Sequence, residues 1–409
     1  MKLYFEKGNY KLYQGSMLDM LDVINKDTID CIVTDPPYEL NFMSKGWDNA
    51  GVSFNKDTWK KCFDVLKDGG YLLAFGGSRT YHRIACAIED AGFEIRDCIM
   101  WLYGSGFPKS MNIGLAIDKK NGVESEVIGE IKTHDFSKHK GSMMSFANTE
   151  KQETSISNVK IKKANNEWQG WGTALKPAFE PIIVARKPFK GSLVDNVIKN
   201  GVGGLNIDEC RVPFNGDKWN TQKSGKSSRA YQSEETTTAG GICVANDNGR
   251  FPANVIHDGS DETIKDMPIA NKESVSRYFY CAKASKKDRD DGLSAFESKT
   301  VDDGRKKSID NAFQRGETLR KNTHPTVKPT ELMQYLVRLV ATKGATILDP
   351  FNGSGSTGKA VMYENKERNA NYKYIGIELT EEYLPIAAAR IEHVTNLKEK
   401  VEKFEQLTF

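Results

Sequence analysis

Short apolar runs that stop on proline or glycine constrain this chain most. Residues 29–34, Ile-Asp-Cys-Ile-Val-Thr, form a β-branched run that ends at Asp35-Pro36-Pro37. Consecutive prolines fix two φ angles and remove two N–H donors, so neither strand nor helix continues through them. Pro36 also holds Asp35 extended. A second run, 71–76, follows the turn-forming Asp68-Gly69-Gly70, and further strands are expected over 95–103 and 181–185. Helical stretches are expected from Trp59 to Leu66 and from Arg79 to Ala91. Strands alternating with helices specify a parallel sheet covered on both faces.

The same alternation returns near the other end. Apolar Leu332, Met333, Leu336, Val337, Leu339 and Val340 mark one helix face over Thr330 to Val340, with Pro329 and Thr330 as start signals. A strand at Thr346-Ile347-Leu348, a glycine-rich turn, a helix from about Thr357, a strand at Tyr374 to Ile377 and a helix from Tyr383 to Val394 complete it. Residues 104–175 and 190–322 are instead rich in Lys, Ser, Asn, Gly and Asp. They are too long for ordinary connections, which points to a functional region. Trp219 to Arg250 is nearly all small and polar and is expected to be mobile.

Composition narrows the class. The 409 residues carry 58 Lys+Arg against 55 Asp+Glu, a net charge of +3, so any polyanion-binding surface must come from local clusters. Aromatic residues at 10% exclude a wholly disordered chain. No apolar run approaches the ~18 residues of a membrane span. Met1-Lys2-Leu3-Tyr4-Phe5-Glu6 lacks a signal-peptide core, so a cytoplasmic protein is expected. The seven cysteines form no C-x-x-C pair, so they are expected to be reduced and mostly buried, with no metal site.

Three constellations carry chemistry. Asp35-Pro36-Pro37-Tyr38 makes a rigid elbow at the carboxyl end of a strand, where open α/β sheets place ligands. An acceptor carboxylate, acceptor-only carbonyls and an aromatic face suit a planar ligand with an exocyclic amine. The tetrapeptide alone fits equally a proline-terminated strand with a capping Asp and a packed Tyr. Asp349-Pro350-Phe351-Asn352-Gly353-Ser354-Gly355-Ser356-Thr357-Gly358-Lys359 again follows a strand and opens a helix. Its glycines let backbone approach a ligand, and the helix start favours negative groups. The glycine spacing imitates a P-loop, but residue 360 is Ala, so the hydroxyl that would hold Mg²⁺ is missing. Gly376-Ile377-Glu378 ends the next strand and places an acid to accept ribose hydroxyls.

Together these segments resemble the S-adenosylmethionine-dependent amino-DNA methyltransferases, the N6-adenine/N4-cytosine family. Asp35-Pro36-Pro37-Tyr38 is similar to the catalytic motif, and Asp349 to Thr357 to the cofactor loop. His324-Pro325-Thr326-Val327-Lys328-Pro329 is similar to a third segment lining the cofactor site. Catalytic motif first and cofactor loop last resembles the β-type order. One departure is Ser16, where the family usually has an acid; Asp19 is a weak substitute.

The resemblance implies a Rossmann-like methyltransferase fold: a mainly parallel twisted sheet, a circularly permuted motif order and an inserted target-recognition region. The implied division is 1–103 for the catalytic half, 104–175 for an insertion touching DNA, 176–189 for a strand returning to the sheet, 190–322 for target recognition and 323–409 for the cofactor half. It implies direct transfer from S-adenosyl-L-methionine to the exocyclic N6 of a flipped adenine. Asp35 and the Pro36 carbonyl take the amine's N–H groups, Pro37 stiffens the elbow and Tyr38 stacks. Asp349 is assigned to the methionine amino group, the Gly353–Gly355 backbone to close approach and Glu378 to the ribose. Phe351 borders the cofactor, with Asn352, Ser354, Ser356, Thr357, His324, Thr326 and Lys328 completing the site.

N4-cytosine transfer is the near alternative, since only Asp at position 35 tilts the motif towards adenine. RNA or protein methyltransferases usually have Asn there and the reverse motif order. A P-loop ATPase and a DNA-binding protein without catalysis are more distant. No Pro-Cys dipeptide is present for C5 chemistry. Double-stranded DNA is the implied partner, with a homodimer and a cognate restriction endonuclease as further expectations for a prokaryotic or phage-encoded enzyme. Candidate phosphate contacts are Lys283, Lys286, Lys287, Arg289, Arg305, Lys306 and Lys307, with Arg315, Arg320 and Lys321 as a third cluster. Trp168, Trp171, Tyr278, Phe279 and Tyr280 are candidate stacking groups, but core packing is the expectation for each.

Overall fold

The computed structural model describes residues 2–40, 48, 51–106, 110–134, 156–213, 249–270, 273–282, 286–301 and 318–406. In chain order its strands are β1 (Lys2–Lys7), β2 (Tyr10–Gln14), β3 (Ile29–Thr34), β4 (Leu66–Phe75), β5 (Glu94–Leu102), β6 (Glu126–His134), β7 (Ile156–Lys163) and β8 (Phe179–Arg186). They continue with β9 (Val255–His257), β10 (Ile269–Ala270), β11 (Glu273–Ser274), β12 (Tyr280–Cys281), β13 (Lys299–Val301), β14 (Thr318–Arg320), β15 (Thr346–Asp349) and β16 (Lys373–Glu378). The helices are α1 (Lys56–Val65), α2 (Tyr81–Asp90), α3 (Ile113–Asn121), α4 (Leu193–Asn200), α5 (Asp261–Ile264), α6 (Lys286–Asp290), α7 (Thr330–Val340), α8 (Ser356–Arg368) and α9 (Leu384–Gln406).

Ten strands form one sheet in the order β1-β2-β16-β15-β3-β4-β8-β5-β9-β12. Neighbours run parallel except at β1/β2, β4/β8 and β8/β5. It is a Rossmann-like, mainly parallel sheet in permuted order. Every residue of β3 is buried, as a strand covered on both faces requires. One face packs α7, α8 and α9, with Leu336, Val361 and Ile391 in the core. The other packs α1 and α2 through Trp59, Cys62, Ile84 and Ile88.

The topology fixes the site. β3 and β15 are adjacent and parallel, with Leu348 beside Ile32. From there the chain leaves β3 through α1 to β4 on one side, and leaves β15 through α8 to β16 on the other. Strand order reverses between them, and a crevice opens at their carboxyl ends. Asp35 and Pro350 follow directly, so two segments over three hundred positions apart emerge side by side.

Several sequence expectations change. The Asp68-Gly69-Gly70 turn lies inside β4, which begins at Leu66. Gly69 has φ +84°, and the register against β3 shifts there, so the glycines make a bulge held by Gly69 N–H to the Lys187 carbonyl at 3.0 Å. α1 starts earlier than expected because the Asn55 side chain caps it, accepting from Asp57 N–H. Segment 190–322 also contributes to the sheet, whose edge β9 and β12 extend. The insertion forms α3 and the antiparallel hairpin β6–β7. Of the six described cysteines only Cys31, Cys62 and Cys210 are buried, so "mostly buried" fails; Cys86 is exposed, and Cys98 and Cys281 lie between. Among the described residues no helix is long and apolar enough to cross a membrane.

Candidate active site

A cavity of about 1460 Å³ opens where the elbow and the glycine turn meet. It exceeds the usual few hundred to ~1,000 Å³ of a single small-ligand site, so it has room for two ligands. Asp35, Pro36, Pro37 and Tyr38 line one end. Asp349, Phe351, Asn352, Gly353, Ser354, Ser356, Thr357 and Glu378 line the other, with His324, Thr326 and Lys328 along the wall. Gly355 stands behind the wall. It occupies the helix-start position of α8 at φ +76°, and a Cβ there would sit 3.0 Å from Ala387 Cβ. Ser16 borders the cavity while Asp19 is exposed and does not, so Asp19 replaces no cofactor contact.

A short buried bond joins the two ends: Thr34 Oγ1, at the end of β3, donates to Asp349 Oδ1 at 2.6 Å. Thr357 Oγ1 donates to Asp349 Oδ2 at 2.6 Å, and Phe351 N–H donates to Oδ1 at 3.1 Å. Burial pushes the Asp349 carboxyl up to about 6, against the pull of these donors; nearby Asp35 adds to the rise. Glu378 accepts from Gly353 N–H and Thr380 N–H, both at 2.7 Å, and burial raises it above the ordinary carboxylate range. Asn352 Oδ1 accepts from the Tyr374 hydroxyl at 2.8 Å. Arg390, fully buried, donates to the Ser354 carbonyl at 2.7 Å and to Ser356 Oγ at 3.2 Å. Gly353 has φ +51°, and a Cβ on it would meet His324 Nε2 at 2.8 Å. His324 buttresses the turn. Its Nδ1 faces the Thr326 carbonyl at 2.6 Å, and burial lowers it to about 4, so the ring is neutral at pH 7.

The elbow end differs in kind. Lys328 Nζ lies 2.6 Å from Asp35 Oδ2 and 3.3 Å from Glu180 Oε2. Glu180 Oε2 also accepts from the Tyr38 hydroxyl at 2.9 Å. Burial alone would depress Lys328, but the two carboxylates outweigh it and raise its pKa. Burial likewise pushes the Tyr38 hydroxyl up, keeping it a donor. Asp35 Oδ1 is buried with no hydrogen-bond partner among the described residues. A buried acceptor left bare carries a desolvation cost of ~1–3 kcal/mol, which an incoming donor relieves.

Sequence reasoning missed Glu180. The available signal was an acid at the mouth of an apolar strand, Phe179-Glu180-Pro181. It also missed a clasp behind the glycine turn. Lys359, fully buried, pairs with Asp288 at 2.6 Å and Asp291 at 3.2 Å, so it faces away from the cavity and the P-loop reading fails. The Asp288 carboxylate accepts from Thr330 N–H at 2.8 Å, and its carbonyl accepts from Arg390. Arg289 turns inward to the Asn322 and His324 carbonyls, a structural duty where sequence suggested phosphate contact. Lys321 donates to the Ser294 carbonyl at 2.7 Å. Lys287 is exposed. Lys283, Arg305, Lys306, Lys307 and Arg315 lie outside the described residues, as does the side chain of Lys286 and nearly all of Trp219 to Arg250. Tyr280 stacks on Tyr335 at 4.2 Å, as core packing predicts. Trp168 and Trp171 do not follow that expectation: both are exposed.

A model of the DNA methylase family matches residues 29–389. The type II methyltransferase M.HindIII of Haemophilus influenzae is 28% identical over 171 residues, which are 41% of this chain and 41% of that protein. M2.LlaDCHI of Lactococcus lactis subsp. cremoris is 25% identical over 228 residues, 50% of this chain and 82% of that one. Among solved structures, the PvuII DNA methyltransferase (cytosine-N4-specific) aligns over 98% of this chain and 95% of its own, with 14% identity and a TM-score of 0.45. The M1.HpyAVI–SAM complex aligns over 93% and 99%, with 15% identity and a TM-score of 0.38.

Proposed function

This chain belongs to the DNA methylase family, and from that premise we propose that it moves the methyl group of S-adenosyl-L-methionine to N6 of an adenine turned out of duplex DNA. The observation that carries the reading is the state of Asp35: one oxygen pinned by Lys328, the other buried and bare, in a cavity shared with the glycine turn.

The residues present fit the donor. Asp349 and Glu378 set two acids at the glycine-turn end, where a cationic amino group and ribose hydroxyls would be held, and Gly353 brings bare backbone alongside. When bound, S-adenosyl-L-methionine supplies an electrophilic methyl group.

The protein's own task is to ready and aim the amine. An aryl amine is a weak nucleophile because its lone pair is delocalised into the ring. Asp35 Oδ1 accepts one of its N–H groups and the Pro36 carbonyl the other, favouring a more tetrahedral nitrogen with its lone pair available. Alignment supplies much of the rest. The proton leaves after attack, so Asp35 needs no prior general-base role. Tyr38 stacks on the extruded base, returning roughly 1–3 kcal/mol against a flipping cost of a few kcal/mol.

Asp rather than Ser before Pro-Pro-Tyr supports adenine over cytosine. A second copy of the chain and a cognate endonuclease are proposals that accompany this function. Expression in a methylation-deficient host, followed by modification-sensitive sequencing, tests the reading. N6-methyladenine at a fixed sequence, lost with Asp35→Ala, is the expected result. N4-methylcytosine would move the assignment to the alternative, and an unmodified genome would end it.

A further inference from the structure

From Glu180 outward, the cavity wall continues through residues 173–178, all of them exposed. Leu175 is 92% exposed although it borders the same cavity as Asp35. Trp168 and Trp171, 39% and 58% exposed, meet edge to face at 5.1 Å. The tryptophans lie outside the cavity lining on the same stretch of chain, and large exposed apolar groups at and beside a cavity mouth mark a surface made to be covered.

The loop that carries them is held in place. Thr173 Oγ1 accepts from Met111 N–H at 2.9 Å, and Ser110 Oγ accepts from the N–H groups of Thr173 and Ala174 at 2.9 and 3.2 Å. Ile113 N–H donates to the Trp171 carbonyl at 3.0 Å, and Tyr103 N–H to that of Ala178 at 3.0 Å. The backbone is anchored on both sides of Leu175, whose side chain is exposed. Lys176 and Arg79, both exposed, border the same mouth and give it positive charge. Leu175 and Glu180 are five steps apart along the chain, a span of at most about 18 Å, so the leucine stays within reach of one extruded nucleotide.

We propose that Leu175 is a wedge: it enters duplex DNA where the target base has left and keeps the gap from closing, while Lys176 and Arg79 meet the flanking phosphates. The proposal rests on the DNA methyltransferase reading above. The chemistry is that of apolar side chains that part base steps. An emptied stack position is apolar above and below, and a preformed exposed leucine fills it without unfolding anything.

The test uses the full chain and a synthetic duplex of the sequence that wild type methylates. Single-turnover transfer is measured with the target base paired and, separately, with an abasic site opposite it. Leu175→Ala should slow transfer to the paired duplex about ten- to hundredfold. Its rate on the abasic-opposed duplex should stay within about twofold of wild type, because extrusion there costs little. Leu175→Met, which keeps an apolar chain of similar volume, should restore most of the paired-duplex rate. Equal slowing on both duplexes, or none on the paired one, overturns the wedge and leaves the methyltransferase reading standing. A wild-type chain for which no methylated sequence is found, in cells or with purified protein, overturns that reading and the wedge with it.

Discussion

At the glycine-turn end of the cavity nearly every polar side chain already has a partner within the protein, whereas at the elbow end one carboxylate oxygen has none among the described residues. Asp349 is held by two threonines and a backbone N–H, Glu378 by two backbone N–H groups, and Ser354 and Ser356 by Arg390. That end is a rigid cradle formed before a ligand arrives. At the elbow, Lys328 and Glu180 hold Asp35 and Tyr38 in position but leave Asp35 Oδ1 for something else to complete. The contrast teaches a division of labour. One end has its hydrogen bonds complete and the other keeps one acceptor open; under the proposed function the first would hold the donor and the second the amine.

The sharpest way to break this contrast is Asp35→Ala. Methyl transfer should fall by about a thousandfold, as when a reaction-site hydrogen-bonding group is removed, while calorimetric titration finds donor affinity unchanged. Parallel loss of both would show that the two ends do not divide the work. Next comes Lys328→Met, which leaves two part-buried carboxylates without their cation. It should cost less than the ~3–5 kcal/mol of a fully buried pair, read as a lower thermal midpoint, and should impair transfer more than donor binding.

Tyr38 probes the elbow more gently. Tyr38→Ala should weaken productive DNA binding about tenfold to a hundredfold through lost stacking. Tyr38→Phe should do less, since it keeps the ring and loses only the bond to Glu180. Equal damage from both would argue that the hydroxyl, not the ring, matters.

The smallest effect is one of pH and belongs to the cradle. The buried Asp349 carboxyl titrates near about 6. Below that value it is protonated and loses its charge for a cationic amino group. Donor affinity should therefore decline, by up to about tenfold per pH unit, as pH falls beneath 6. The sign for stability is opposite. The folded protein holds this proton more tightly than the unfolded chain, so the group's stabilising contribution is full at acid pH and is lost as pH rises through about 6. Calorimetric titrations on both sides of that value, with thermal melts at matched pH, would check both signs.

The fold was legible where a single element carried its own signature. The β3 run and the helix Thr330–Val340 lie where the apolar pattern put them, because burial on both faces or along one stripe leaves no other periodicity. Pro36-Pro37 and the glycine turn were legible because backbone chemistry punctuates the chain locally. What escaped were features whose partners come from far away. Lys328, Asp35 and Glu180 converge from three separate segments, and nothing near Glu180 names its partners. The Lys- and Asp-rich run around 286–291 reads as a cluster of phosphate contacts, yet Asp288 and Arg289 are turned in by Lys359, Arg390 and the His324 carbonyl. β9 and β12, three and two residues long, are too short for any periodicity to announce them. The exposed tryptophans were hidden by the usual burial of large aromatics, a tendency that surfaces built for contact violate.

One cation set between two carboxylates leaves the Lys328–Asp35–Glu180 group a single unit negative. Under the proposed reaction the nitrogen beside Asp35 would gain positive charge, which a net-negative neighbourhood stabilises. Once that nitrogen sheds its proton the modified base would be neutral, and the same neighbourhood would no longer hold it. The group that favours the forward step would therefore not retain the finished product.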